Sequence, residues 1–225
     1  MRKTSSRPAP PLAAIVLAAG GSTRLGEPKQ LLRTGHEPLL LRATRLAQRT
    51  VRGPVIVVLG AGRQRLQSLL RNRRPGINIV YNRRWAEGLA GSLRLGIAQI
   101  PPASTGALIL LVDQAGVLPA DLHRLVGRWQ RRPGRPAAAF YRGRAGAPAV
   151  IPRRFFAAIN TLQGDTGARH WLRQLGDVAP VEMPNAAFDV DTPADAAALA
   201  ARRIPASEEV SNPPAADRPR PASRN

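Results

Sequence analysis

Two short, almost entirely apolar runs constrain the fold of this chain more than any other feature of its sequence. The runs VIVVL (55–59) and ALILLV (107–112) lack alternating polar residues, so the strands that they predict should be buried on both faces. Strands of this kind lie in mainly parallel sheets that have helices packed on both sides. The runs therefore predict an α/β fold of three layers, αβα, around a mainly parallel, mixed sheet.

Strand and helix patterns alternate along most of the chain. We predict strands at 13–17, 55–59, 77–81, 107–112, 137–141, 149–151 and 178–182. We predict helices at about 39–49, 63–71, 90–99, 119–130, 153–162, 168–175 and 193–201. Ligands of such sheets bind beyond the carboxyl ends of the strands. We therefore expect the functional site in the segments that follow Leu17, Leu59, Tyr81 and Val112.

The net charge of +20 at pH 7, from 34 basic and 14 acidic residues, favours a polyanionic partner. Residues 1–11 and 202–225 carry little of this excess, so most of it lies within residues 12–201. We expect no nucleic-acid partner, because the sequence has no recognisable nucleic-acid-binding module and only 4% aromatic residues for base stacking. The charge therefore favours small polyanionic molecules.

The two ends of the chain differ in composition from the middle. We expect a flexible N-terminal segment (1–11), one folded domain (12–201) and a disordered C-terminal tail (202–225) rich in Pro, Ala, Ser and charge. The N-terminus is similar to a signal peptide, but three prolines precede its short apolar run, and we expect a cytoplasmic protein with no membrane partner. The absence of cysteine excludes disulfides, thiolate metal sites and a cysteine nucleophile.

A glycine-rich loop, LAAGGSTRLGEPK (17–29), begins at the end of the first predicted strand. Its small residues allow the backbone to approach a ligand, and exposed N–H groups suit phosphate oxygens. The loop does not match the dinucleotide fingerprint, because Thr23 replaces the second glycine, nor the P-loop, because Glu27 replaces the lysine. Its two cations, Arg24 and Lys29, fit a triphosphate. The alternative is a tight strand–helix turn with solvated cations.

The same loop carries a family resemblance. LAAGGSTRLGEPKQLL resembles the signature L-A-[AG]-G-x-S-x-R-[ML]-G-x-x-K of MobA-like nucleotidyltransferases, and most closely the molybdenum cofactor cytidylyltransferase branch. The similarity covers roughly residues 12–201 and implies a Rossmann-like nucleotidyltransferase fold for this domain. Further segments that resemble the family's motifs are NRRWAEG (82–88), GSLRLG (91–96), DQ (113–114), GAPAV (146–150), GDTGAR (164–169) and DVDTPAD (189–195).

The resemblance implies a role for each matching residue of the nucleotide half. Arg24 and Lys29 would hold the triphosphate and stabilise the departing pyrophosphate. The residues implied to surround the nucleotide phosphates are Leu17, Ala18, Ala19, Gly20, Gly21, Ser22 and Gly26. Ser92 would lie near the base; the alternative for Ser92 is an ordinary helix N-cap. The sequence LAAG, with Ala19 in place of a glycine, implies CTP rather than GTP.

An aspartate at the end of a buried strand points to a cation. Asp113 follows five apolar residues, where an unpaired carboxylate would be costly, and the resemblance implies that it binds Mg²⁺. Mg²⁺ takes one or two carboxylates plus phosphate oxygens. Asp189 and Asp191 are the candidates for the second carboxylate, since both would face one side of an extended segment. The alternative for Asp191 is to cap the helix that starts at Pro193.

The acceptor half matches the family less well than the nucleotide half. Gly164, Asp165 and Arg169 are the implied acceptor-binding residues, at a glycine-rich helix entry that suits a phosphate. Ala115 replaces the proline of the family's D-Q-P, and Ala147 replaces the histidine of its G-H-P-V. The sequence therefore determines the reaction type better than the acceptor.

The resemblance implies a Mg²⁺-dependent nucleotidyl transfer, in which an acceptor phosphate attacks a nucleoside triphosphate and pyrophosphate leaves. The implied reaction joins CMP from CTP to a molybdopterin-type cofactor. A recipient molybdoenzyme or an accessory protein would then receive the product. One alternative keeps the chemistry with a sugar, polyol or phospholactate acceptor. Another is a molybdenum cofactor-binding chaperone without catalysis. Such a transfer needs no protein nucleophile, in keeping with the absence of cysteine.

Overall fold

The computed structural model describes residues 11–164 and 168–202, within which strands and helices alternate as expected. The strands are β1 (Ala13–Ala18), β2 (Arg33–Thr34), β3 (Glu37–Pro38), β4 (Val55–Leu59), β5 (Asn78–Tyr81), β6 (Gly106–Leu111), β7 (Ala137–Tyr141), β8 (Arg144–Pro152) and β9 (Ala179–Glu182). The α-helices are α1 (Leu39–Thr50), α2 (Arg63–Arg73), α3 (Leu89–Ala98), α4 (Pro119–Gln130), α5 (Phe156–Ile159), α6 (Ala168–Gln174) and α7 (Pro193–Ala201). Short 3-10 helices lie at Lys29–Leu31, Trp85–Glu87, Arg153–Phe155 and Pro184–Ala187.

The expected N-terminal segment 1–11 and C-terminal tail 202–225 lie outside the described residues, apart from residues 11 and 202. The division of the chain into these three parts therefore stays a prediction. Every helix within the described ranges is too short or too polar to cross a membrane.

Seven of the strands form one sheet in the order β5-β4-β1-β6-β8-β7-β9. Strand β8 runs antiparallel to both of its neighbours, β6 and β7. The remaining pairs in the sheet are parallel. The sheet confirms the predicted α/β class with a mainly parallel, mixed sheet.

The central strand β1 shows why its apolar run lacks polar alternation. Ala14 and Val16 pack in the core that includes residues of α1, α2, α4 and α7. Ile15 and Leu17 pack in a second core, which includes residues of α3, α5 and α6. Helices thus cover both faces of the sheet, and burying one such aliphatic side chain stabilises the fold by about 1.5–3 kcal/mol. This arrangement confirms the three predicted layers.

Helix α3 approaches the sheet closely at a glycine. A Cβ on Gly96 would lie only 2.7 Å from Cγ2 of Ile15 and 3.3 Å from Cγ2 of Val58. A side chain at position 96 would therefore push α3 away from β1 and β4. The close approach matters for the site, because α3 begins at the edge of the sheet where the predicted motifs meet.

Three elements differ from the expectations. The strand predicted at 149–151 is too short, because β8 also includes residues 144–148, whose Gly, Ala and Pro are not typical of strands. The sequence does not predict the β2–β3 hairpin, because strands of two residues are too short to show a periodic pattern. The helix predicted at 153–162 is wrong in extent: a 3-10 helix leads into α5, which ends at Ile159. The hydroxyl of Thr161 then donates to the carbonyl oxygen of Ala158 at 2.9 Å, which satisfies a carbonyl of the last turn.

Candidate active site

The carboxyl ends of four parallel strands meet at one edge of the sheet. Ala18 of β1 pairs with Leu59 of β4, which in turn pairs with Tyr81 of β5. On the other side of β1, Leu17 pairs with Leu111 of β6. The segments that continue from these strands are the glycine-rich loop, residues 60–62, residues 82–88 and residues 112–117. The expected site segments therefore lie side by side.

A buried glutamine holds the start of the glycine-rich loop. Nε2 of Gln30 donates to the carbonyl oxygen of Ala18 at 3.0 Å and to that of Gly20 at 2.8 Å. The side chain thus sets the direction in which the backbone leaves β1. Because an unpaired buried amide is costly, the loop and Gln30 stabilise each other.

Ser22 closes the loop on itself. Its Oγ accepts a hydrogen bond from the backbone N–H of Lys29 at 3.0 Å. Its carbonyl oxygen accepts from the N–H groups of Leu25, at 3.0 Å, and Gly26, at 3.2 Å. Ser22 and Gly26 adopt φ angles of 56° and 80°, in the region that favours glycine. The loop is therefore a tight turn that ties Lys29 to its beginning.

The indole of Trp85 packs against the glycine-rich loop and the turn after β4. A Cβ on Gly21 would lie 2.6 Å from Cζ3 of Trp85. A Cβ on Gly60 would lie 2.4 Å from the carbonyl oxygen of Ala19 and 2.6 Å from Cβ of Trp85. The packing leaves no room for a side chain at either glycine. Gly21 therefore has a packing role in addition to its predicted nucleotide-binding role.

Lys29 lies between two carboxylates. Its Nζ is 2.6 Å from Oδ2 of Asp113 and 2.8 Å from Oδ1 of Asp191. The side chains of Lys29 and Asp113 are only 14% and 17% exposed, so little water screens this pair. Burial alone would lower the pKa of Lys29, but the two carboxylates outweigh burial and raise it above its usual value. The amine therefore stays protonated at neutral pH.

Arg24 lies on the solvent side of the same cluster. Its Nη2 is 3.4 Å from Oδ2 of Asp191, and its side chain is 73% exposed. A pair at this distance and exposure contributes little to stability, so the guanidinium can turn to a ligand at small cost. The structure thus brings together four of the predicted site residues: Arg24, Lys29, Asp113 and Asp191.

The two aspartates of the DVDTP segment have different surroundings. The carboxylate of Asp191 contacts Lys29, whereas the backbone of Asp189 forms an antiparallel bridge with Gln114. The N–H of Val190 donates to the carbonyl oxygen of Asp113 at 3.1 Å. Backbone pairing therefore aligns this segment with the end of β6 and presents Asp191 to Lys29.

Helix α7 is capped by Thr192. Its Oγ1 accepts from the backbone N–H of Asp195 at 3.2 Å, and the Asp195 carboxylate accepts from the N–H of Thr192 at 2.8 Å. The backbone N–H of Asp191 also donates to Asp195, at 3.1 Å. The alternative in which Asp191 caps this helix is therefore wrong, and its carboxylate faces the site.

One buried carboxylate oxygen in the cluster lacks a hydrogen bond. Oδ1 of Asp113 accepts none from the part of the chain that the structure describes. Oxygens of Asp113 and Asp191 are the hard donors that Mg²⁺ prefers. No group of three or more His, Cys, Asp or Glu side chains within the described residues could hold a metal ion. A divalent cation here would therefore need further oxygens from a ligand or from water, which suits Mg²⁺.

Ser92 is buried in the first turn of α3. Its Oγ accepts from Nδ2 of Asn82 at 2.9 Å, and Oδ1 of Asn82 accepts from the N–H of Arg84 at 3.0 Å. Helix α3 has Gly88 as its N-cap, so the alternative in which Ser92 caps the helix is wrong. The pair links the segment after β5 to α3. The nucleotide-binding role of Ser92 stays a prediction.

The predicted acceptor segment begins beside the same helix. The carbonyl oxygen of Gly164 accepts from the N–H of Ala90 at 3.0 Å, and Gly164 has a φ angle of 58°. Asp165 lies outside the described residues, and Arg169 lies in α6 with its side chain outside the description. The acceptor-binding roles of these residues therefore stay predictions.

A second buried glutamine stabilises the turn that follows Asp113. Nε2 of Gln114 donates to the carbonyl oxygens of Ala147, at 2.8 Å, and Ala186, at 2.9 Å. The N–H of Ala115 donates to the carbonyl oxygen of Asp113 at 2.8 Å. These bonds constrain the turn although it lacks the proline of the family's D-Q-P.

The sequence motifs assign no role to four residues that position segments of the site: Gln30, Asn82, Trp85 and Gln114. Each lies within or directly beside a motif that resembles the family, and that proximity is the signal that could have identified them. Their roles depend on burial and on backbone groups from other segments, which the motifs alone do not reveal.

Comparison with known proteins finds a family whose model matches most of the chain. The model of the MobA-like NTP transferase domain matches residues 14–178. None of the curated proteins matches the sequence significantly.

Solved structures from several organisms resemble the chain. Rv0371c from Mycobacterium tuberculosis H37Rv is 28% identical, with a TM-score of 0.73 over 85% of this chain and 98% of that one. A structure of Rv0371c in complex with manganese is 27% identical, with a TM-score of 0.67 over 84% of this chain and 97% of that one. Molybdopterin-guanine dinucleotide biosynthesis protein A from Archaeoglobus fulgidus shares the fold at 14% identity, with a TM-score of 0.61 over 84% of this chain and 96% of that one.

Proposed function

The chain belongs to the family of proteins with a MobA-like NTP transferase domain and is a nucleotidyltransferase, and we propose that it transfers CMP from CTP to the phosphate of a molybdopterin-type cofactor. The observation that carries the nucleotidyl transfer is the convergence of Lys29, Asp113 and Asp191 next to a glycine-rich loop. Cations and carboxylates so arranged suit a reaction in which negative charge moves between phosphate groups.

The transfer requires positioning and charge stabilisation. An oxygen of the acceptor phosphate forms a bond to the α-phosphorus of CTP, and the bond from that phosphorus to the oxygen bridging the β-phosphate breaks. Pyrophosphate leaves with the electron pair of that bond. Lys29, held protonated by its two carboxylates, and the exposed Arg24 would stabilise the charge that develops on the leaving group.

The glycine-rich loop would position the triphosphate for this attack. Gln30 and Ser22 hold the loop in a tight turn, so its backbone N–H groups need little ordering when a ligand binds. Trp85 supports the loop from one side through its contact with Gly21. A loop held in this way suits a reaction that depends on the position of the α-phosphorus.

Asp113 and Asp191 would hold a divalent cation, for which we propose Mg²⁺. The buried oxygen of Asp113 without a hydrogen bond supports this assignment, as does the manganese complex of Rv0371c, which is 27% identical to this chain. When bound, the cation would neutralise oxygens of the triphosphate. We propose Asp191 rather than Asp189 as the second carboxylate, because Asp191 shares Lys29 with Asp113.

The choice of substrates rests on the sequence motifs. Ala19 in LAAG stands where guanylyl members of the family usually carry a glycine, which favours CTP. The GDTGAR motif at 164–169 favours a pterin acceptor, whose phosphate Arg169 would meet. A recipient molybdoenzyme or an accessory protein would then take up the product. Sugar, polyol and phospholactate acceptors are the alternatives that keep the same chemistry.

Product analysis tests this function directly. The full chain is incubated with Mg²⁺, a purified molybdopterin-type cofactor and either CTP or GTP; pyrophosphate is measured and the product is identified by mass spectrometry. We expect the cytosine dinucleotide form of the cofactor and pyrophosphate with CTP. The Lys29→Ala chain should form at least about 100-fold less product, whereas Arg52→Ala, a change at an exposed arginine, should leave the reaction intact.

Each other outcome points to a specific alternative. Product with GTP alone would contradict the nucleotide assignment. Pyrophosphate release with a sugar, polyol or phospholactate, but not with the pterin, would contradict the acceptor assignment. Tight pterin binding without pyrophosphate release with any acceptor would favour the chaperone.

A further inference from the structure

A basic cavity lies between the β2–β3 hairpin, α1 and the end of α2. Its volume is about 700 Å³, which is in the range of pockets that bind small molecules. Arg24, Lys29, Asp113 and Asp191 do not line it. We call this cavity the arginine pocket, after six of its lining residues: Arg33, Arg42, Arg45, Arg49, Arg73 and Arg74.

The carboxylate of Glu37, which also lines this pocket, does not neutralise the charge of the six arginines. Oε2 of Glu37 is 2.6 Å from Nη2 of Arg45, and Oε1 is 2.6 Å from Nη2 of Arg74. Both carboxylate oxygens of Glu37 are thus engaged. The pocket arginines that form no salt bridge with another described residue are Arg33, Arg42, Arg49 and Arg73. The pocket therefore carries a concentrated excess of positive charge.

Arg42 is the strongest sign that the pocket takes an anion. The residue is only 6% exposed, and its Nη2 donates to the carbonyl oxygen of Val117 at 2.6 Å. Burial, followed by the neighbouring cation of Arg45, lowers the pKa of Arg42 to about 10, and the carboxylate of Glu37 only partly offsets them; the guanidinium remains charged at neutral pH. A buried charge beside other cations is unfavourable, and an anion in the pocket would reduce that cost.

We propose that the arginine pocket is a second ligand site, which binds a small molecule that carries two or more phosphate-type groups. The planar guanidinium pairs with two phosphate oxygens at once, and arginines from three elements can engage several phosphate groups. The volume of about 700 Å³ favours a small molecule, because an acidic protein face or a nucleic-acid duplex needs an extended surface. The proposal goes beyond the transfer reaction and does not depend on it.

Calorimetric titration of the full chain with inorganic tripolyphosphate tests the site. The pocket variant is Arg49→Gln with Arg73→Gln, two exposed lining residues without a salt bridge to the described residues. The control variant is Arg65→Gln with Arg71→Gln, which removes the same charge from exposed positions of α2 outside the pocket. The Lys29→Ala chain is titrated in parallel to identify binding at the glycine-rich loop.

We expect one class of binding sites to weaken at least about tenfold in the pocket variant, since the ligand loses charge-assisted hydrogen bonds to two guanidinium groups. The same class should persist in the control variant and in Lys29→Ala. If a second class of sites is lost in Lys29→Ala, that class lies at the glycine-rich loop. The arginine pocket and the nucleotide site of the loop are therefore tested separately.

Three results would overturn the proposal. The first is that every class of tripolyphosphate sites found in the unaltered chain keeps its affinity in the pocket variant. The second is an equal loss of tripolyphosphate affinity in the pocket and control variants, which would mean that binding depends only on the net charge of the chain. The third is a short DNA duplex that binds more tightly than tripolyphosphate and requires the same two arginines, which would make the pocket part of a nucleic-acid surface.

Discussion

The ammonium group of Lys29 lies 2.6 Å from Oδ2 of Asp113, although the two residues are 84 positions apart in the sequence. Lys29 comes from the loop after β1, and Asp113 comes from the turn after β6, the strand beside β1. The parallel pairing of these two strands therefore creates the contact. Asp191 completes the cluster from the segment that precedes α7.

Replacing Lys29 by alanine should abolish most of the activity. We expect pyrophosphate release with CTP to fall at least about 100-fold, because a preorganised cation is lost where charge develops. The variant should also lose about 1–3 kcal/mol of unfolding free energy, because the partly buried Asp113 loses its counterion and Asp191 keeps only the exposed Arg24. Urea unfolding measures this loss. Full activity in both Lys29→Ala and Arg24→Ala would disprove the role of the loop.

The two aspartates of the DVDTP segment should differ in their effect on metal dependence. We expect Asp191→Asn to raise the Mg²⁺ concentration needed for half-maximal activity about tenfold or more, because its carboxylate lies in the Lys29–Asp113 cluster. Asp189→Asn is the matched control, and a smaller shift is expected. Titration of activity with Mg²⁺ and with Mn²⁺ gives both values. A larger shift for Asp189→Asn would reverse the assignment.

Replacing Gln30 should weaken nucleotide binding more than it slows the chemical step. Gln30→Leu removes the hydrogen bonds to the carbonyl oxygens of Ala18 and Gly20, and leaves both without this donor. We expect a loss of about 1–3 kcal/mol in unfolding free energy and a KM for CTP raised about tenfold, with a smaller effect on kcat. Gln48→Leu is the control, because Gln48 donates to the carbonyl oxygen of Pro75 far from the loop. Equal effects of the two substitutions would refute the positioning role.

Adjacent glycines of the loop should tolerate alanine differently. Gly21→Ala would place a Cβ 2.6 Å from Trp85, whereas a Cβ on Gly20 meets nothing within 4 Å. We expect Gly21→Ala to destabilise the protein by about 1–3 kcal/mol through overpacking, and Gly20→Ala to leave the melting temperature almost unchanged. Combining Gly21→Ala with Trp85→Leu should recover part of the loss. If Gly20→Ala proved the more damaging change, the packing explanation would fail.

Glu37 should make the stability of the fold sensitive to acid. Burial alone would raise the pKa of Glu37, but Arg45 and Arg74 outweigh burial and lower it below 4.5. The carboxylate therefore contributes stability that is present above pH 4.5 and is lost as the pH falls through the lower pKa of the folded state. Unfolding of the unaltered chain and of Glu37→Gln, measured across this range, should converge at low pH. A constant difference down to pH 2 would contradict this linkage.

The sequence predicts the strands β1, β4 and β6 closely because their apolar runs are continuous and uninterrupted by polar residues. It predicts only three residues of β8, because the first part of that strand is rich in Gly, Ala and Pro. It does not predict the β2–β3 hairpin, since two-residue strands carry no period, although that hairpin forms one wall of the arginine pocket. The motifs predict Lys29 and Asp113 as site residues, and the structure places them in contact, but the motifs assign no role to Gln30 or Trp85. Those two act through packing and backbone contacts with the loop, which local patterns do not encode.

The sequence by itself determined the class of fold and the glycine-rich loop with its two cations, because these depend on periodicity and on residues that are neighbours in the chain. Only the tertiary structure decided that Thr192, and not Asp191, caps α7 while Asp191 contacts Lys29, and that six arginines share one cavity with a single glutamate. These contacts join segments that are distant in the chain. Their geometry follows from strand order, backbone pairing and helix capping, which act together only once the sheet has formed.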